Sequence, residues 1–486
     1  MGTAPRPRFD SGVERSERSE MMRKTKSLFV FGVASLALAL VTGDVAAQEI
    51  LITPADPAIS VGQTQQFTAT GISTATALDA GSYHTCAILQ DATVDCWGLN
   101  DYGQLGDGTQ TNSSTPVAVG GVSDVATVTG GGFHTCARLG DGTLRCWGRN
   151  IEGQLGDQAT AGWFSSTPVP VTGITTALTV TGGGFHSCAL LQNGTVRCWG
   201  LNDAGQLGNG TVAPSLFPLL PNPTPSEVMD ISTATAVSAG GWHACALLQN
   251  GTVRCWGQNN YGQLGDGTPV PTPATSRPTP VPVTVTGITT AVAIEAGIFH
   301  TCALLQDGTM QCWGWNDYYQ LGNQSAINAS STPVTVDGIT PASLAPGAEH
   351  TCVLHRDGTA QCWGDNQYGQ NGNGSPSGIF APPTAVVTGI TSAIALTSGA
   401  EHSCALLPGG RVQCWGRGLH GRLGNGTTTD TFTPVSVVGL GVTWTSSDTT
   451  VATIDATGLA TGKNSGITTI GAASDGGSGG TTLTVQ

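Results

Sequence analysis

Charge is scarce in this chain. Of 486 residues only 10% are Asp, Glu, Lys or Arg, against about 25% in a typical soluble domain, so its surface has to be wetted by Ser, Thr, Asn, Gln and backbone. Basic residues are scarcer still. Seven of the eighteen fall at or before Lys26, and downstream of residue 47 eleven basic residues face 27 acidic ones, Lys463 being the only lysine there. With a formal net charge of −14 no basic face can be assembled. That excludes nucleic acid and anionic lipid surfaces as partners, because both are held through clustered Lys and Arg. Beyond residue 47 no segment has eighteen consecutive apolar residues, so no helical membrane span is expected. Helical periodicity is missing as well.

The early basic residues have their own explanation. Met21-Met22-Arg23-Lys24-Thr25-Lys26 is a positive leader, Leu28 to Val41 is apolar, and Val45-Ala46-Ala47 offers small residues before Gln48. This reads as a secretory signal peptide over 21–47, cleaved after about Ala47. The alternative is a membrane anchor, for which the apolar stretch is short. Residues 1–20 are polar and charged, unlike a signal peptide, and are read as lying before the natural start at Met21 or Met22. The mature protein is then expected outside the cytoplasm: secreted, periplasmic or on the cell surface.

What the chain has in quantity is 70 Gly and 14 Cys. The cysteines fall in pairs: Cys86 with Cys96, Cys136 with Cys146, Cys188 with Cys198, Cys245 with Cys255, Cys302 with Cys312, Cys352 with Cys362, and Cys404 with Cys414. Nine residues separate the members of each pair, and successive pairs start 50, 52, 57, 57, 50 and 52 residues apart. Constant spacing within a unit and variable spacing between units mark a rigid hairpin joined by adjustable loops. In His134 to Gly148, two strands flank Gly140-Asp141-Gly142, which suits a type I turn followed by a left-handed Gly. Leu139 then lies opposite Thr143 and Cys136 opposite Cys146, in a non-hydrogen-bonded pair with Cα atoms about 4.5 Å apart. That is within disulfide reach, so seven cross-strand disulfides are expected in an oxidising compartment. Repeat one has Gln90-Asp91-Ala92 in place of the glycine turn and should be somewhat strained or re-formed. Repeat seven keeps a Gly in Pro408-Gly409-Gly410.

Past the second Cys, Cys-Trp-Gly recurs seven times, then stretches such as Asn100-Asp101-Tyr102-Gly103-Gln104-Leu105-Gly106, and in most repeats a Thr-Pro-Val strand. Seven four-stranded units predict a β-propeller. The recurring Gly-x-x-His-Thr/Ser-Cys-Ala-Leu, Asp/Asn-Gly-Thr-Val and Trp-Gly-x-Asn-x-x-Gly-Gln-Leu-Gly resembles the regulator of chromosome condensation repeat family, over about 75% of the chain. Members of that family form seven-bladed propellers. The kelch diglycine and the Trp-Asp ending of WD blades are absent.

The ring is expected over 72–440. Because the first repeat starts near Thr74 without a preceding Pro-Val strand, strand counting predicts that Thr433 to Gly439 adds to the blade of Cys86 and Cys96. The flanks, 50–71 and 441–486, together resemble a bacterial Ig-like group 2 domain, with the propeller inserted after its second strand. The alternative is a leader and an incomplete C-terminal module. The expected fold class is therefore all-β: a propeller plus a small Ig-like sandwich.

Seven histidines (84, 134, 186, 243, 300, 350 and 402) stand two before each first Cys. They are read as structural, bonded to backbone near a neighbouring blade, rather than as metal ligands, since the thiols should be oxidised. The seven Trp read as packing between blades. Asp107, Asn209 and Asp266 read as turn formers, lacking the dense carboxylate alternation of a calcium loop. No catalytic constellation, cofactor site or metal site stands out. The loops after Gly-Gln-Leu-Gly vary most, with Trp163 and Phe164 after Ala161-Gly162, Phe217, Leu219 and Leu220 within 216–220, and the Pro-rich run Pro269 to Pro282. Clustered apolar loop residues are candidate contacts. The expected function is a non-enzymatic, monomeric binding scaffold for a protein or glycan. An alternative implied by the resemblance is an inhibitor of an extracellular enzyme, as in β-lactamase-inhibiting propellers. Nucleotide exchange on a small GTPase, as in the eukaryotic namesake, fits the leader and the acidic charge poorly.

Overall fold

The computed structural model describes residues 50–70, 73–213, 221–270, 278–323, 327–375, 379–456, 458–474 and 477–486. The leader over 21–47 lies outside them. Among the described residues there is no α-helix, only two single 3-10 turns. Seven four-stranded antiparallel sheets follow one another from Ala75 to Ser436, each made of four consecutive strands in sequential order. Blade 2 is representative, with strands Val125–Gly130, His134–Leu139, Leu144–Arg149 and Phe164–Pro170. The first strand of each blade lies innermost, against the first strands of its neighbours. Blade 7 (Ala395–Ser398) packs in this way on blade 1 (Ala75–Ala80), which closes the ring.

The hairpins have the register that spacing predicts. Cys136 faces Cys146, the Leu139 amide donates to the Thr143 carbonyl at 2.9 Å, and the Gly142 amide donates to Leu139 at 3.0 Å. The same bridge forms within every blade: Cys86 to Cys96, Cys136 to Cys146, Cys188 to Cys198, Cys245 to Cys255, Cys302 to Cys312, Cys352 to Cys362, and Cys404 to Cys414. Their Cα atoms are 4.0–4.1 Å apart, somewhat closer than the separation expected from ideal strand pairing. Gly142 sits at φ +83°, where only Gly is unstrained. In repeat one Ala92 is forced into the same left-handed conformation, at φ +61°.

The apolar core lies between blades rather than within them. One cluster joins Cys136, Leu144 and Leu155 of blade 2 to Ala189, Leu191 and Trp199 of blade 3. Each of the seven Trp is fully buried, and its indole N–H reaches back one blade: Trp147 Nε1 donates to the Gln104 carbonyl at 2.9 Å. The same carbonyl accepts the Thr135 hydroxyl at 2.8 Å, and that hydroxyl pairs with His84 Nε2 at 2.7 Å. Since the hydroxyl proton is spent on the carbonyl, His84 is the donor and carries its proton on Nε2. This four-membered clasp (His and Gln carbonyl from one blade, hydroxyl and Trp from the next) recurs around the ring, including blade 7 to blade 1, where His402 meets Thr85 at 2.8 Å and Trp97 donates to the Arg422 carbonyl. The histidines are thus held by side-chain hydroxyls, not by the backbone groups expected from sequence. One joint is incomplete. Blade 4 carries Ala244 where the others carry Thr or Ser, and both ring nitrogens of the buried His186 lack a partner.

Ring closure differs from the strand-counting expectation. Thr431–Ser436 pairs with Arg411–Gly416 of its own blade, and blade 1 completes itself with Ser113–Ala118. Counting is off by one phase because the third-to-fourth connection, residues 99–112 in blade 1, is long enough to fold the Thr-Pro-Val strand back onto its own blade. The entry and exit of the ring are nevertheless adjacent, with the Gly441 amide donating to Ser73 at 2.8 Å.

The two flanks pair with each other. Thr64–Gln66 pairs with Leu459–Gly462, and Ala58–Ile59 runs parallel to the final strand, Gly477–Val485. Ile52, Ile59 and Phe67 share one buried cluster with Ala460, Ile470, Leu483 and Val485. Four short strands precede the ring, not two, because Pro54 and the turn at Gly62 (φ +81°) break the leading segment.

Candidate binding face

In a four-stranded antiparallel blade, the first and third connections emerge at one end and the Cys hairpin at the other. The Gly-x-x-His turns and the loops after Cys-Trp-Gly therefore share one face of the ring. The His clasp fixes the turn backbone, and glycine lets neighbouring turns approach: a Cβ at Gly131 would run into the His134 ring and the Gly183 carbonyl. The residue just before each His is consequently held at the same radius in every blade. In blades 1 to 5 it is Tyr83, Phe133, Phe185, Trp242 and Phe299; in blades 6 and 7 it is Glu349 and Glu401.

The five rings form a continuous arc, with successive centroids 5.1, 5.9, 6.0 and 5.3 Å apart. These separations lie in the favourable range for aromatic pairs. The loops add a second tier. Tyr102 meets Phe133 edge-on at 5.7 Å, Tyr261 meets Phe299 at 5.5 Å, and Trp315 bridges Phe299 and Tyr318 at 5.4 and 5.5 Å. Arg149 lies over this surface, its guanidinium carbon 5.1, 6.0 and 5.3 Å from the centroids of Tyr102, Phe133 and Phe185. Both oxygens of Glu152 neutralise it, at 2.7 and 3.1 Å.

The acidic end of the arc is uneven. Glu401 is balanced by Arg417 at 2.7 Å and Arg422 at 3.2 Å. Among the described residues, Glu349 has no such cation. Burial, then the charges of Asp365, Glu401 and Asp317, push its carboxyl up to about 8. Burial similarly raises Asp365 to about 6, despite hydrogen bonds from Gln367 and Gln370. The seven joint histidines are held neutral by burial: His84, His134, His243, His300 and His350 fall to about 3, His186 to about 4, and His402 well below its ordinary value.

Of the contact residues anticipated from sequence, Trp163 is 74% exposed immediately before the outer strand of blade 2. Phe164 is the first residue of that strand, half-buried and paired with Arg149. Phe217, Leu219 and Leu220 lie outside the described residues. The Pro-rich run is not all loop, since Pro278–Thr284 is the outer strand of blade 4. Pro is tolerated there because an edge strand needs donors on one side only. Asp107 acts as a turn former, accepting the Thr109 amide and hydroxyl at 2.9 Å each. The aromatic arc itself was missed. Its signal is the residue before each His, which along the chain looks like a variable position.

Comparison with known proteins agrees with this architecture. The family profile described as the RCC1-like domain matches residues 174–483, and profiles of the regulator of chromosome condensation (RCC1) repeat match 75–104, 125–154, 93–138 and 141–190. The chain is 28% identical over 249 residues to the ultraviolet-B receptor UVR8 of Arabidopsis thaliana, covering 51% of this chain and 54% of that protein. It is 29% identical over 180 residues to human RCC1 domain-containing protein 1, covering 30% and 46%. The chain thus spans about half, or less, of the length of the curated relatives it matches. Among solved structures, human WBSCR16 superimposes with a TM-score of 0.63 at 21% identity, covering 71% of this chain and 94% of that one. Prp20p of Saccharomyces cerevisiae gives 0.62 at 22%, covering 75% and 87%.

Proposed function

The chain belongs to the RCC1-like domain family, and from that premise we propose that it is an exported, non-enzymatic binding scaffold that takes a protein or glycan partner on the face carrying the aromatic arc. The observation that carries the reading is the arc itself: five consecutive blades place a ring at one radius of one face. Aromatic side chains give large contact area at little cost in conformational freedom, which suits a recognition surface. Export is supported by the positive leader, the apolar stretch before Ala47 and the seven disulfides. The flanking strands, with their shared core, are proposed to be one Ig-like module displayed beside the ring.

The test is a paired capture experiment. The chain and a Trp163→Ser/Tyr261→Ser variant are immobilised and exposed to proteins and glycans from the same compartment. A partner retained by the first and lost by the second supports the reading. One retained equally by both, but lost when the hairpin residues Asp141 and Asp307 are replaced, would move the site to the opposite face. Screening the captured partner for loss of enzymatic activity separates a plain scaffold from an inhibitor.

A further inference from the structure

The arc is not chemically uniform, and its irregular sector suggests what it recognises. At the position after Cys-Trp-Gly, blade 2 carries Arg149, blade 5 Trp315, blade 6 Asp365 and blade 7 Arg417. Two carboxylates on this face are answered from within the chain: Glu152 by Arg149, and Glu401 by Arg417 and Arg422. Glu349 is not. Among the described residues no ion pair or hydrogen bond holds its side chain, although it stands at the same radius as Glu401. Its surroundings add acid rather than relieve it, because Asp365 and Asp317 are near enough to raise its protonation. Asp317 Oδ1 is itself buried without a hydrogen-bond partner. Trp315 and Tyr318 flank Asp317 in the chain, and their rings meet edge to face.

Blade 2 shows what such a combination accepts. There the chain's own guanidinium lies against three rings and is neutralised by a carboxylate bidentately. The sector of blades 5 and 6 keeps one of those rings as Tyr318, adds Trp315, carries Glu349 and Glu401 where Phe133 and Phe185 stand, and puts Asp365 where Arg149 would stand. The cation has been replaced by a third acid. A guanidinium supplied from outside would restore the arrangement, gaining charge-assisted hydrogen bonds and ring contact together. A neutral sugar would stack on the rings but leave the carboxylates facing one another.

Resting on the reading of this face as the binding surface, we propose that the sector of blades 5 and 6 captures an arginine side chain of a basic partner segment, seated between the Trp315–Tyr318 rings and the carboxylates of Glu349, Asp317 and Asp365. The partner is therefore a protein with an exposed, positively charged segment, complementary to a chain that is itself acidic.

The experiment uses the purified, disulfide-bonded chain and an acetylated, amidated peptide of four Gly-Arg repeats, with the same peptide carrying citrulline in place of arginine as a neutral control. Calorimetry should show the arginine peptide binding at least tenfold tighter than the citrulline peptide. Glu349→Gln/Asp317→Asn should weaken it at least tenfold. Asp141→Asn/Asp307→Asn, a pair of acid-to-amide changes on the opposite face, should alter it less than twofold. Binding at pH 7 should release up to one proton, read from heats in two buffers, as Glu349 ionises beside Asp365, Asp317, Glu401, Arg417 and Arg422; Glu349→Gln should abolish the release. Equal binding of both peptides, equal loss in the two double variants, or no binding of the arginine peptide overturns the proposal. If a captured partner is lost on replacing Trp163 and Tyr261 but not on replacing Glu349 and Asp317, the face stands and the arginine chemistry falls.

Discussion

Acid should unfold this protein with unusual steepness, because seven histidines are buried neutral at the blade joints. Their protonation is held down to about 3 or 4 in the folded ring, and well below its ordinary value for His402, against an ordinary 6.5. A group depressed in this way lends stability that is complete above its unfolded value and is lost as pH falls. The window therefore runs from about pH 6.5 downward. At pH 5 the unfolded chain binds about seven more protons at these positions than the ring does. Glu349 (about 8), Glu295 (about 7) and Asp365 (about 6) work the other way, since they hold protons in the folded state that the unfolded chain has largely released. They remove between about two and three protons from the difference. The net uptake of about four to five protons corresponds to about 6 kcal/mol lost per pH unit near pH 5. Against a usual margin of about 5–15 kcal/mol, the ring should be unfolded by about pH 4 with its disulfides intact. Urea titrations followed by tryptophan fluorescence at pH 6.5, 6.0, 5.5 and 5.0 give the slope directly. His243→Gln should lower it by about one proton. A slope below one proton per chain would refute the clasp as the origin of the buried neutral histidines.

Four further outcomes follow from the joints and turns. Ala92→Gly relieves a left-handed alanine and should stabilise by about 1 kcal/mol in denaturant melts, whereas Gly251→Ala should cost more than Gly308→Ala, because its Cβ would lie 2.6 Å from the Thr289 carbonyl while Gly308 faces open space. Ala244→Ser gives His186 the hydroxyl that its six counterparts have and should stabilise by about 1–2 kcal/mol. The gain should vanish in a His186→Gln background, and a gain that persists there assigns it to packing instead. Glu349→Gln should stabilise increasingly from about pH 4.5 to 8, since a carboxyl raised in the folded state loses stability as pH climbs through that range, and should level off above it at a few kcal/mol. An unchanged difference between pH 5 and pH 9 would show that Glu349 is solvated.

The fold was legible because its information is local. Cys-x9-Cys, the turn between, and Cys-Trp-Gly each specify geometry within fifteen residues, and seven copies leave little freedom for the rest. The site was less legible for the opposite reason. Tyr83, Phe133, Phe185, Trp242 and Phe299 are about fifty residues apart in the chain and become neighbours only when the ring closes. A reading along the chain finds loop insertions such as Trp163, which are contiguous, and passes over an arc that is not. The closure error has a related cause. Which blade owns a Thr-Pro-Val strand depends on the path of a loop, and Asn100 and its partners set that path by side-chain hydrogen bonds to Thr109 and Thr111 that spacing alone does not reveal.

That each blade is completed by its own four strands has an evolutionary and practical consequence. Duplicating or deleting one unit of 50–57 residues adds or removes an intact sheet together with both halves of its interfaces, whereas a ring fastened by a borrowed strand would be torn at one seam. Because blade 7 meets blade 1 through the same clasp as most other pairs, the order in which the blades are translated is immaterial to the finished ring. Circular permutants opened between blades should therefore assemble, and blade number can drift within a lineage while the geometry of the joint stays constant.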